Sequence, residues 1–257
     1  MTSRASILLG LVLLTIGGGE ASAAPSSSPS ASAPATASDV ILYNPSVSVT
    51  DPRVRRLVGH DKLASAEGKR ILDAVFGGNY LTDQSQCRGV AADLAGARRA
   101  GDLVPSVSEA ATGSFTTART TQTLLVIQDG ECGASHADNW GSITLAVFNG
   151  NTVVARTIVD GGRSIERVVD VDGDGRDEIL LTAGAMNQGL IAESAQLAHV
   201  DPTGLTVIKD FGQVLYSSCG GGSGPETQTY SIIHAVTKPG AAVEFRLERR
   251  TEACAGG

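Results

Sequence analysis

From Gly113 to the C-terminus the chain is written in short runs of Val, Ile, Leu and Thr, separated by Gly, Asn, Asp and Pro. Runs of that length and composition, punctuated by turn formers, specify strands joined by tight connections. Candidate strands cover Gln122 to Ile127, Ser142 to Phe148, Val153 to Ile158, Arg167 to Val171 and Glu178 to Thr182. Further ones cover Ala195 to His199, Leu205 to Phe211, Gln228 to Ala235 and Ala242 to Arg249. Aromatic residues make up only 4% of the chain, so Val, Leu and Ile must fill the core.

These strands recur in a pattern. Ile143 to Ile158 and Ser194 to Phe211 each read as a hairpin, with Asn-Gly in the first turn and Asp-Pro-Thr-Gly in the second. Their offset is about 52 residues, and Thr-Gln-Thr recurs at 121–123 and 227–229, about twice 53 apart. The expected fold is therefore mainly β: three β-meander repeats of about 53 residues, propeller-like or sandwich, preceded by a small helical segment. That segment is read from Ser65 to Phe76, where Ile71, Leu72, Val75 and Phe76 share a helical face before Gly77, and more weakly from Val90 to Ala100. The boundary with the β-repeat domain falls near Ala111, giving a helical region at 39–111 and a β-repeat domain at 112–257.

The N-terminus has Arg4, an apolar run from Ile7 to Ile16, and the triplet Ala21, Ser22, Ala23. This is the order of a cleavable export signal over residues 1–23, and the run is about half the roughly 20 apolar residues that a membrane span needs. Residues 24–38 contain only Ala, Pro, Ser and Thr and read as a disordered linker. No other segment is long and apolar enough to span, so no transmembrane segment is expected and the destination is extracellular or periplasmic. With a net charge of −7 and no dense Lys/Arg cluster, a nucleic-acid partner is not expected. Cys87, Cys132, Cys219 and Cys254, in a chain bound for an oxidising compartment, favour two disulfides. Of the three connectivities, Cys87 with Cys132 and Cys219 with Cys254 keep each bridge within one stretch of chain.

The most informative segment runs from Asp170 to Glu178: Asp-Val-Asp-Gly-Asp-Gly-Arg-Asp-Glu, five carboxylates in nine residues. Such a density repels itself unless a cation offsets it, and Arg176 alone is insufficient. Acids at positions 1, 3, 5 and 9, glycine at 6 and a backbone carbonyl at 7 gather hard oxygen ligands, which suit Ca²⁺. The expected ligands are Asp170, Asp172, Asp174 and Glu178 through their side chains and Arg176 through its carbonyl, with Asp177 pointing away. An EF-hand needs an acid at position 12, where Leu181 stands, and flanking helices, where the sequence is β-like. The segment resembles the calcium loop of FG-GAP and VCBS repeats, the blades of integrin-type β-propellers. One unit of the three carries the loop, and Glu178 stands where those repeats usually have Asp. The resemblance implies a cation that pins neighbouring strands and a role in adhesion or in carbohydrate and protein binding.

Two functional readings follow from these residues. The first is a secreted, calcium-binding β-repeat module with an unknown protein or carbohydrate ligand. The second is a secreted hydrolase with a site near His136, where Asp138 and Trp140 accompany it beside Cys132. His199 and His234 read as structural strand residues, and Ser223 lacks the last glycine of a nucleophile elbow because Pro225 takes its place. If the export signal is cleaved as read, N-terminal sequencing of the secreted product should begin at Ala24; a product that retains Met1 contradicts it.

Overall fold

The computed structural model describes residues 37–47, 51–57, 66–77, 106–128, 142–161, 163–220 and 226–254. Cys87, Cys132, His136, Ser223 and the helical pattern at 90–100 lie outside the described residues. Those described contain twelve strands and one helix. In chain order they are β1 (Ser38–Tyr43), β2 (Val54–Arg56), α1 (Ala66–Phe76), β3 (Ser106–Gly113), β4 (Gln122–Gln128), β5 (Ser142–Asn149) and β6 (Thr152–Asp160). There follow β7 (Ser164–Val169), β8 (Glu178–Asn187), β9 (Leu190–Asp201), β10 (Gly204–Ser217), β11 (Thr227–Thr237) and β12 (Glu244–Ala253).

The strands form two sheets. One has five strands in the order β2-β3-β4-β5-β6; the other has seven in the order β1-β11-β10-β9-β8-β7, with β12 on the free side of β11. All the strand pairs are antiparallel. The sheets pack on each other through alternate residues, as the two-residue period of a strand requires. Leu124 and Val126 of β4 and Ile143, Leu145 and Val147 of β5 meet Ile165 and Val168 of β7 and Ile179 and Leu181 of β8 in one core.

The residues between them in sequence face the other way and are also buried. Leu125, Ile127, Ala146 and Phe148 are covered by α1 through Leu72 and Val75. Ile71 and Phe76 pack at the edge of the same cluster, so all four residues of the expected helical face are used. Arg156 of β6 closes the helix, donating from Nη1 to the Val75 carbonyl at 3.0 Å and stacking 4.7 Å over the Phe76 ring. Gly77, at φ 69°, ends it. On the seven-stranded sheet the outer face is covered by the sheet's own curl: Leu42 and Tyr43 of β1, Phe211 and Val214 of β10 and Ile233 of β11 gather over Leu180 and Leu197. Irregular register in β10, at 207–209, 210–212 and 213–215, supplies that bend.

All nine expected strands are present, but the three units do not stand as three separate sheets. The hairpin of β5 and β6 lies in the five-stranded sheet and that of β9 and β10 in the seven-stranded one. Pairing of Leu215, Tyr216 and Ser217 with Tyr230, Thr229 and Gln228 joins the second and third units edge to edge. Part of 39–111, read as helical, is also strand: β1 pairs with β11, β2 pairs with β3, and β3 runs through Ala111. No helix among the described residues is long and apolar enough to cross a membrane.

Cys219 and Cys254 form the expected disulfide, with Cα atoms 5.7 Å apart and a sequence separation of 35. A closed loop of that length constrains the unfolded chain by about 4 kcal/mol in the loop-entropy view. The Cys219→Ser, Cys254→Ser double variant should therefore lose several kcal/mol in urea unfolding; an unchanged midpoint contradicts this.

Candidate metal centre

The loop from Asp170 to Asp177 connects β7 to β8, and its shape is written locally. Asp170 accepts from the N–H groups of Gly173 (2.8 Å) and Gly175 (3.0 Å), Asp172 from Asp174 (3.1 Å), and Asp174 from Arg176 (2.7 Å). Aspartates that bond the backbone ahead of them favour turns over ladder continuation. Gly173 and Gly175 take φ of 77° and 87°, where a side chain would be strained. The result is that Asp170, Asp172 and Asp174, all exposed, bring one carboxylate oxygen each within 4.8 Å of the others. Three hard oxygen donors at that spacing can chelate a divalent cation.

Arg176 lies in the same loop, its Nε and Nη2 each 3.0 Å from Asp174 Oδ2. The Arg176 backbone N–H, and after it the guanidinium, hold the Asp174 carboxyl below its ordinary range. Asp177 points away, as expected, and anchors the loop. Its Oδ2 accepts from Ser114 N–H at 2.7 Å, its own N–H donates to the Ser114 carbonyl at 2.8 Å, and its Oδ1 pairs with Arg53 at 3.0 Å. The close approach requires Gly113, where a Cβ would come within 2.9 Å of Asp177 Oδ2 and 2.9 Å of the Phe115 ring.

Glu178 is placed differently from the three aspartates. It is fully buried under the loop, its Oε2 accepting from Val171 N–H at 2.8 Å. Its Oε1 lies 3.1 Å from His199 Nδ1, but off the line of a directed bond, so neither atom has an aligned hydrogen-bond partner. Burial, and then the charges of Asp172, Asp170 and Asp174, push the Glu178 carboxyl up to about 7. His199, read as a strand residue from sequence, thus sits beside the loop as well. The signal for it is the register of the β8–β9 hairpin, in which Ile179 faces Ala198, fixed by the two-residue turn Gln188-Gly189. Both turn residues have positive φ, 50° and 82°, the geometry that suits the twist of a hairpin.

Fold and loop together define a two-sheet β protein whose β7–β8 connection can chelate a divalent cation. No family model, no curated protein and no solved structure matches the chain.

A carboxyl whose pKa is raised by folding binds a proton more readily in the folded state than in the unfolded one. Its contribution is fully present below the unfolded value, near 4.5, and declines as pH rises through about 7. In metal-free protein, Glu178→Gln should flatten a fall in unfolding free energy between those limits, measured by urea titration at several pH values. An identical slope in parent and variant contradicts the assignment.

Proposed function

We propose that the chain is an exported, calcium-binding β module that engages a protein or carbohydrate partner. The observation that carries the reading is the convergence of Asp170, Asp172 and Asp174 on one point of a glycine-turned loop. The donor set is all oxygen, which favours Ca²⁺ over thiolate- or imidazole-seeking metals. The Arg176 carbonyl would complete the inner set. Glu178 Oε1, buried beside the loop without an aligned partner, would be the ninth-position oxygen. The cation would neutralise a charge cluster in which Arg176 pairs with Asp174 and Arg53 with Asp177. This agrees with the likeness of 168–181 to FG-GAP and VCBS loops and with the export signal at 1–23, because calcium is plentiful where such a signal sends a chain. In this reading the residues at 24–38 are a tether, and the β units serve as a binding scaffold with no catalytic role.

Extracellular calcium modules bind at about 10⁻⁴ to 10⁻³ M. Calcium at ten to a hundred times Kd should stabilise the fold by about 1.4–2.7 kcal/mol. Calorimetric melting in about 10 mM calcium should show that rise in the parent and none in the Asp172→Ala, Asp174→Ala variant. A parent whose melting temperature ignores calcium defeats the reading.

A further inference from the structure

Among the described residues, β1, β2, β6, β7 and β12 stand at sheet edges, and the first four are short or occupied. β2 is three residues long. β6 is met by the β9–β10 turn, where a Cβ on Gly204 would stand 3.9 Å from Thr157 Oγ1. On β7 the amides of Ile165 and Val168 donate to Glu109 Oε2 at 2.7 Å and Asp51 Oδ2 at 2.9 Å. On β1 the Leu42 carbonyl accepts from Arg167 Nε at 3.1 Å.

β12 differs from all of these. It is ten residues long, pairs with β11 alone among the described residues, and keeps one register from Glu244 to Ala253 without a bulge. The Cys254 N–H donates to the Glu226 carbonyl at 3.0 Å, in step with that ladder, so even-numbered residues turn their N–H and C=O towards β11. The odd-numbered Phe245, Leu247, Arg249, Thr251 and Ala253 therefore turn theirs outward. A long, regular edge of this kind is a template for another strand, and proteins ordinarily blunt it. Here the side chains along the edge carry equal numbers of both signs: Glu244, Glu248 and Glu252 against Arg246, Arg249 and Arg250. Their order selects a partner.

We propose that β12 pairs antiparallel with β12 of a second copy of this chain, about a two-fold axis at Leu247, so that two seven-stranded sheets become one. Arg246 of each copy then stands opposite Glu248 of the other, and Glu244 opposite Arg250. Even-numbered positions are the non-hydrogen-bonded pairs of the new ladder, where facing side chains come closest. On the other face Leu247, 48% exposed in one copy alone, meets itself, and Phe245 stands opposite Arg249. Neighbouring registers are worse. An axis at Arg246 or at Glu248 sets like charges opposite one another throughout, and an axis at Arg249 matches the even-numbered charges but sets Arg249 against itself. Within one copy Arg250 holds Glu248 at 2.6 Å and Arg246 reaches Asp39 at 3.1 Å, pairs exposed enough to exchange for the new ones. One strand pairing buries less than the roughly 1,200 Å² of an ordinary complex, so the dimer is weak and concentration-dependent. The surface is separate from the Asp170–Asp174 loop and does not depend on its cation.

The test is sedimentation velocity of the chain from Ala24 onward, at about 1 to 500 μM. The parent should pass from monomer to dimer over that range, alike in calcium and in EGTA. Leu247→Pro removes an outward N–H and no bond to β11, so it should stay folded by circular dichroism and stay monomeric. Arg246→Glu and Glu248→Arg each set like charges opposite one another twice, and each alone should weaken the dimer at least about tenfold. An equimolar mixture of these two variants sets opposite charges together again and should dimerise within about threefold of the parent. If Leu247→Pro does not fold, the two charge variants and their mixture decide. A parent that is monomeric throughout, a dimer indifferent to Leu247→Pro or to the charge variants, or a mixture no tighter than its components overturns the proposal.

Discussion

A strand in a two-layer protein ordinarily buries one face, but β4, β5 and β8 bury both. Leu124 and Leu125, Ala146 and Val147, and Leu180 and Leu181 are neighbours in sequence that point to opposite cores. Each such strand obliges the chain to provide cover twice, once from the facing sheet and once from outside. That obligation explains why α1 lies on the five-stranded sheet and why the seven-stranded sheet curls over its own outer face. The T-shaped contact of Phe211 with Phe245, centroids 5.6 Å apart, brings β12 into that cover. In a chain with so few aromatic residues, doubling the buried faces is how aliphatic side chains gather enough apolar area.

Some of this architecture was legible in the sequence and some was not, for physical reasons. The nine strands after Gly113 are apolar enough for periodicity to reveal them. β2 is three residues long and β3 is Ser-Val-Ser-Glu-Ala-Ala-Thr-Gly, too small and polar to announce a strand; both owe their state to partners. The repeat reading found two true hairpins but not their distribution between two sheets. That distribution is set between β6 and β7, where the chain passes from one sheet to the other, and nothing local in the sequence marks it. The loop at 170–177 is the opposite case, since its turns are built from its own aspartates and glycines. What the spacing could not indicate is the direction of Glu178. Ninth position suggests a ligand; as the first residue of a doubly buried strand, Glu178 comes to the loop from beneath, beside His199.

Arg53 gives the loop a wider attachment than its own turns provide. It reaches Asp177 at the end of the loop and Asp51, whose Oδ2 accepts from the Val168 N–H of β7. Burial opposes the charge of Asp51, but the N–H groups of Val168 and Arg53 and the guanidinium outweigh it, so its carboxyl sits below the ordinary range. Polar contacts therefore join the turn that leads into β2, of one sheet, to β7, the edge strand of the other. The acidic loop is held from both sides before any cation is considered.

The placement of the terminal strands has a mechanical meaning. β1 and β12 lie on opposite sides of β11, both antiparallel to it, with Ser38 opposite Thr237 and Ala253 opposite Thr227. The chain thus leaves at opposite ends of one strand. Tension between these two ends would draw β1 and β12 along β11 in opposite directions, so the ladder bonds, which run across the strands, share the strain together instead of opening one after another. His234, on β11, is gripped by Asp39 of β1 at 2.9 Å, and Cys254 is fixed to Cys219, so neither end offers an easy first step. A pull between these ends therefore loads the ladders on both sides of β11 in shear.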